Sequence, residues 1–223
     1  MIKANWIVRK FKKREKILNI GYIIPESLVN GPGKRFVIWL QGCPFHCQGC
    51  INPELWSFAP NKLYSIEQIL KLLFSTSGVE GITLSGGEPF EQSYPLYFLT
   101  KEIKKYGLSI MSYSGYTFKE LCNKKDRYVH LLLSQLDILI DGKFELDKAA
   151  HLLWRGSKNQ KVQFLSNRYK DYISKVNNEE LQIEFHLQDG KVFLTGNFDW
   201  KLLKVYEKKL KEQGILIDLK GLI

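Results

Sequence analysis

Cys43, Cys47 and Cys50 put three thiols into eight residues, the densest concentration of metal-ligating chemistry in the chain. The spacing Cys-x-x-x-Cys-x-x-Cys supplies three soft thiolates from one loop, one fewer than saturates a tetrahedral zinc ion or completes a four-iron cluster. A cubane held by three cysteines leaves one iron open, able to take a substrate or cofactor as a ligand. His46 lies inside the loop and could serve as the fourth ligand of a zinc site. Its neighbour Cys47 is itself a ligand, however, and adjacent residues grip one ion awkwardly, so His46 is read as a loop residue.

A second concentration of chemistry is Ser85-Gly86-Gly87-Glu88-Pro89. Paired glycines let a ligand approach the backbone, Glu88 offers an acceptor for a cationic group, and Pro89 stiffens the exit. Alone, Gly-Gly is a common turn; about forty residues downstream of a cysteine triad, it reads as part of the same site.

These loops need a scaffold, and the flanking pattern supplies one. Arg35 to Gln41 is an apolar strand that runs into the cysteine loop, and Gly81 to Leu84 runs into Ser85-Gly86-Gly87-Glu88-Pro89. Leu108 to Ser112 and Leu136 to Ile140 are further strands. Between them, Ser65-Ile66-Glu67-Gln68 is a capping box that opens a helix through Phe74, and Leu96, Leu99 and Ile103 form the apolar face of a helix ending near Gly107. Alternation of strand and helix predicts a parallel sheet with its site at the carboxyl ends of the strands, where the motifs fall.

Composition bounds the setting. The chain has 223 residues, 44% hydrophobic and 25% charged, enough for one sizeable core plus an appendage. No stretch approaches a membrane span and the N-terminus lacks the apolar core of a secretory signal, so the expected location is the cytoplasm, with no membrane partner. Three clustered cysteines and a distant Cys122 make no disulfide framework, and Cys122 is expected to be a buried small hydrophobe. The net charge is +10, and seven of the first sixteen residues are Lys or Arg. No nucleic-acid-binding motif accompanies that charge, so it is read as solvated surface lysine and nucleic acid is disfavoured as a partner.

Together the motifs resemble the radical S-adenosylmethionine (SAM) superfamily, and in detail one branch, the activases of anaerobic ribonucleoside-triphosphate reductase. The resemblance is carried by Asn30-Gly31-Pro32-Gly33 with Arg35, by Gly42-Cys43 through Cys50 followed by Asn52-Pro53-Glu54 and Trp56, and by Gly81 through Phe90. Ser114-Gly115-Tyr116, Asp141-Gly142-Lys143-Phe144, Trp154-Arg155-Gly156-Ser157 and Asn159-Gln160 complete it, over roughly residues 20 to 165.

The resemblance implies an oxidoreductase with a [4Fe-4S] cluster on Cys43, Cys47 and Cys50, whose fourth iron chelates the amino and carboxylate groups of SAM. Reductive cleavage of SAM would give a 5′-deoxyadenosyl radical, which in this branch generates a glycyl radical on the partner reductase. An electron donor such as flavodoxin or ferredoxin is implied as well. Gly86 and Gly87 would meet the methionine end of SAM, with Glu88 near its ammonium. Gly49 and Ile51 would contact adenine through their backbones, and Ser114 and Gly115 a ribose or carboxylate. Asp141 and Lys143 are candidates for SAM's polar groups or a bound cation, with an ordinary strand-ending turn as the alternative. Arg155, Ser157, Asn159 and Gln160 would dock the partner loop or close the cavity. His130, His151 and His186 have no carboxylate or cysteine at a ligand spacing, and the Trp and Phe residues fall at core periodicities.

The expected architecture is a partial (β/α) barrel over residues 1–170 with a basic N-terminal extension, followed by a small α+β appendage over 171–223. In the appendage, Leu181 to Gln188 and Lys191 to Thr195 flank Asp189-Gly190 as a hairpin, Trp200 to Gln213 is a basic helix, and residues 215–219 form a final apolar run. Two other readings stay open: a radical SAM enzyme acting on a peptide, another glycyl-radical enzyme or a small molecule, and a non-enzymatic metal-binding or electron-transfer module.

Overall fold

A computed structural model describes residues 16–179, 181–188, 191–197, 205, 207–209 and 211–214. Its centre is a mixed sheet of seven strands in the order β3-β1-β2-β4-β5-β6-β9. The strands are β1 Ile17–Ser27, β2 Arg35–Leu40, β3 Lys62–Ser65, β4 Gly81–Gly86, β5 Ser109–Ser114, β6 Ile138–Asp141 and β9 Lys161–Phe164. β2, β4, β5 and β6 run parallel, whereas β1, β3 and β9 are antiparallel to their neighbours. The all-parallel expectation therefore holds for the centre and is corrected at both edges. The short β1–β2 connection cannot make the crossover that a parallel pair requires.

All six residues of β2 are buried, as a central strand covered on both faces must be. Phe36, Ile38 and Leu40 enter the main core with Ile82, Leu84, Ile110 and Leu139. Four helices cover that face: α1 Ile66–Ser75, α2 Ser93–Lys104, α3 Phe118–Asn123 and α4 Arg127–Leu133. α1 opens on the expected capping box, with both Ser65 and Gln68 bonds formed, and buries Ile66, Ile69 and Leu73. α2 turns Leu96, Leu99 and Ile103 inward. Each such Leu or Ile stabilises the fold by about 1.5–3 kcal/mol.

On the opposite face, Ile24, Val37, Trp39 and Leu55 form one apolar cluster, and Met111, Ile138, Ile140, Leu153 and Trp154 another. Arg35 starts β2 on this side, fully buried, donating to Thr83 Oγ1, Ser109 Oγ and the carbonyls of Ile82 and Ser109. Burial lowers its pKa to about 10. It sews the amino ends of β2, β4 and β5 together, away from the site.

Two small hairpins complete the described structure: β7 Ala149–Leu152 with β8 Arg155–Ser157, and β10 Gln182–Gln188 with β11 Lys191–Asn197. The second matches the expected hairpin, though its turn at 189–190 lies outside the described residues. So do the basic stretch 1–15 and the run 215–219; of the helix expected over Trp200 to Gln213, residues 205, 207–209, 211 and 212 are helical. Two expectations are corrected. Cys122 is exposed, because α3 is six residues long and turns Leu121 and part of Phe118, not Cys122, to the core. Phe58, Phe74 and Phe185 are exposed too, so core periodicity does not account for every aromatic.

Candidate functional site

The cysteine loop leaves the carboxyl end of β2, where it is tied down before the first thiol. Gly42 N donates to Leu55 O at 2.8 Å and Cys43 N to Trp56 O at 3.0 Å. Side-chain amides brace the base: Gln41 Nε2 donates to Glu54 O and Ser57 O, and Gln92 Nε2 to Asn19 O and Gln41 O. His46 stacks on Trp56, with centroids 4.8 Å apart, which supports its reading as a loop residue.

The loop after β4 is bonded directly to it. Gly87 N donates to Leu40 O and Glu88 N to Gly42 O, both at 2.8 Å. The glycines make this possible: a Cβ on Gly86, whose φ is +93°, would lie 2.5 Å from Leu40 N, and one on Gly87 would lie 2.4 Å from Gly42 O. Their first function is thus to let two loops touch.

Glu88 is fully buried, and both its oxygens are occupied. Oε1 accepts from Phe90 N at 3.0 Å and Ser114 Oγ at 2.9 Å, and Oε2 accepts from Gly115 N at 2.7 Å. Burial pushes its pKa up to about 7, against the three hydrogen bonds that favour the charged form. Gly115 also admits the Phe45 ring, which a Cβ there would meet at 2.4 Å. Ser85 through Glu88, the β5 end and the cysteine loop therefore form one connected rim.

A cavity of about 450 Å³ opens at this rim. Cys43, Cys47, Cys50, Gly49, Ile51, Gly86, Gly87, Glu88, Ser114, Gly115 and Lys143 all line it. Asp141 does not. Its oxygens accept from Phe118 N at 2.7 Å and Gln163 Nε2 at 3.0 Å, the arrangement of a strand-ending turn. Lys143 Nζ sits 4.9 Å from the Phe45 ring centroid. Arg155 and Gln160 also face the cavity. The Arg155 guanidinium donates to Gln160 O, Val176 O and Asn177 Oδ1, and its buried Nε has no hydrogen-bond partner among the described residues. Gln160 holds the β8 backbone at Gly156 N and Ser157 N, while Asn159 Nδ2 donates to Lys143 O. The segment staples the β7–β8 hairpin to the loop after β6.

Among the lining residues that sequence reasoning missed are His151, Trp39 and Tyr113. His151 on β7 faces the cavity, and only its closeness to Trp154-Arg155-Gly156 could have marked it. Trp39 and Tyr113 face it as well, as period-two alternation along β2 and β5 allows. His186 pairs with Glu184 at 3.1 Å, a carboxylate neighbour two positions away that the sequence reading passed over.

The three thiols suit an iron–sulfur cluster. All three are free and half-buried, and all three line the same cavity. In a cubane each cysteine holds its own iron. In the metal-free chain burial pushes the Cys43 thiol up to about 11, and Cys47 is raised by burial and by Cys50. Metal binding must therefore displace protons.

A three-cysteine loop at the carboxyl ends of parallel strands, bonded to a glycine-rich rim, defines an iron–sulfur α/β protein. In keeping with this, the model of the 4Fe-4S single cluster domain family matches residues 29–163. A protein from Pasteurella multocida is 37% identical over 152 residues, which cover 64% of this chain and 95% of that protein. One from enterobacteria phage T4 is 31% identical, covering 65% and 93%, and one from Escherichia coli K12 is 36% identical, covering 66% and 99%. Each is an anaerobic ribonucleoside-triphosphate reductase-activating protein, and the chain belongs to that family.

Proposed function

We infer that this chain is a radical SAM activase that installs a glycyl radical on an anaerobic ribonucleoside-triphosphate reductase. The observation that carries the reading is the hydrogen-bonded union of the cysteine loop with the loop after β4 around one cavity. A structural zinc site or an electron-transfer cluster has no use for that second loop. When bound and reduced by one electron, the [4Fe-4S] cluster and SAM supply methionine and a 5′-deoxyadenosyl radical, which takes a hydrogen atom from a glycine of the partner.

The chain's own residues bind and enclose. Cys43, Cys47 and Cys50 would hold the cluster. The backbones of Gly86 and Gly87 would receive the methionine end, with Glu88 beside its ammonium; a cation there would keep the buried carboxylate ionised. Gly49 and Ile51 would contact adenine, and Ser114 and Gly115, which already brace Glu88, would place that acceptor. Lys143 would serve SAM's carboxylate. Asp141 would act through the turn it stabilises.

The same proposal takes the seven-stranded sheet, with helices on one face and the cavity at its strand ends, as a partial (β/α) barrel open on one side. It divides the chain near residue 170 into that barrel and an appendage. Among the described residues no helix is long and apolar enough to cross a membrane.

Anaerobic reconstitution tests the reading: about four iron atoms per chain and reductant-dependent release of 5′-deoxyadenosine from SAM are expected. A Cys47→Ala variant that keeps both would overturn it.

A further inference from the structure

The family match ends at residue 163, and the β10–β11 hairpin lies beyond it. Yet the hairpin reaches the site: Gln182, Thr195, Gly196 and Asn197 line the same cavity as the cysteines. Its polar Gln182, Glu184 and Thr195 are turned inward, while on the other face Phe185 is 49% and Leu187 78% exposed. That inversion of the usual amphipathic order has a cause in the hydrogen bonds. Thr195 Oγ1 donates to Asn30 Oδ1 at 2.9 Å and accepts from Asn30 Nδ2 at 2.7 Å, with both residues buried. Ser27 Oγ donates to Glu184 Oε2 at 2.6 Å, and Leu28 N to Glu184 Oε1 at 2.7 Å. These bonds fasten the hairpin to the β1–β2 connection. On the other side, Asn197 Nδ2 donates to Leu152 O on β7 at 2.8 Å.

The hairpin is thus tied at two places, to the β1–β2 connection and to the β7–β8 hairpin. Asn30 is placed to respond to it, since Asn30 O accepts from Thr83 Oγ1, itself bonded to Arg35. We propose that the β10–β11 hairpin is a specificity wall of the cavity, latched by Thr195 on Asn30, which limits the polypeptide that can approach the cluster loop. A cavity walled on this side admits a thin, glycine-centred chain segment more readily than a bulkier chain. This deepens the activase reading and rests on it for the nature of the incoming chain; the wall itself can be tested without it.

The test uses the full chain, metal-free, with Cys122 as an exposed reference thiol that does not line the cavity. Thr195→Val keeps the shape and removes both latch bonds, whereas Thr195→Ser keeps the hydroxyl. Labelling by a polymer-bearing maleimide at Cys43, Cys47 and Cys50, relative to Cys122, should rise about tenfold in the Val variant, as expected when two buried hydrogen bonds are lost from a locally opening element. The Ser variant should label like the parent chain, and iodoacetamide, which is small, should discriminate far less among the three. Asn197→Ala, which cuts the β7 tie, gives a second route should Thr195→Val fail to fold. In the reconstituted protein the Val variant should form more 5′-deoxyadenosine per glycyl radical, because other hydrogen donors reach the site. Folded variants that label as the parent does would overturn the wall. A parent chain that releases no 5′-deoxyadenosine would overturn the activase reading and leave the labelling result standing.

Discussion

A methyl group at Gly86 would need a left-handed backbone and would press on the β2 backbone at Leu40, and neither can yield without parting the two loops. Gly86→Ala should therefore lower stability by roughly 1–3 kcal/mol from backbone strain alone. Because the strain falls on the joint between the loops, cluster retention should fall with it; both can be read by thermal unfolding and by iron content. The thiols make a separate prediction. Since burial raises the Cys43 pKa to about 11, iodoacetamide should alkylate it slowly in the metal-free chain, at a rate still climbing above about pH 10. A rate already level near neutrality would show that Cys43 is a thiolate without metal. The cysteines were legible because metal chemistry fixes both residue type and spacing. The occupied state of Glu88 was not: the sequence offered it as an open acceptor, whereas Ser114 and Gly115, more than twenty residues on, already hold it.

At the scale of elements, legibility followed burial. β2 was readable because both its faces are covered; β1 was not, because Asn19, Gly21 and Pro25 break its apolar pattern, and its pairing shows register shifts. α3 and α4 are too short for periodicity to speak, although the Thr117 and Glu120 capping box was there to be read. Caps also give a clean test. Ser65→Ala should cost about 0.5–2 kcal/mol through α1 and leave the cluster spectrum unchanged.

Asp137, just before β6, joins three elements: it accepts from Lys104 Nζ at 2.8 Å, Ile110 N at 2.8 Å and Ser166 Oγ at 2.7 Å. Burial pushes its pKa up, but these partners together outweigh burial and hold it below the ordinary carboxylate value. An acid whose folded pKa is depressed contributes stability above its unfolded pKa, about 3.9, and loses it as pH falls through the folded value. Asp137→Asn should be less stable at neutral pH by about 1–3 kcal/mol and should lose less on acidification below about pH 4. Urea unfolding at the two pH values measures both, and parallel pH profiles for parent and variant would contradict the assignment.

For the whole molecule, the matched core and the added hairpin carry different kinds of information. The core's order of motifs made its family legible, since each loop sits at a strand end that topology fixes in advance. The hairpin's alternation and Asp189-Gly190 turn signal marked its strands, but nothing in that pattern said which face would turn inward. Long-range bonds to Ser27 and Asn30, more than 150 residues away, and to Leu152 decide that its polar face meets the cavity. The central claim is that the cavity serves a glycine on a separate reductase, and one anaerobic experiment addresses it most directly. The reconstituted protein is mixed with SAM, reductant and the anaerobic reductase, and the electron paramagnetic resonance spectrum is recorded. A glycyl-radical doublet that requires both the reductase and Cys43, Cys47 and Cys50 is the predicted result. SAM cleavage with no radical on the reductase would contradict the account.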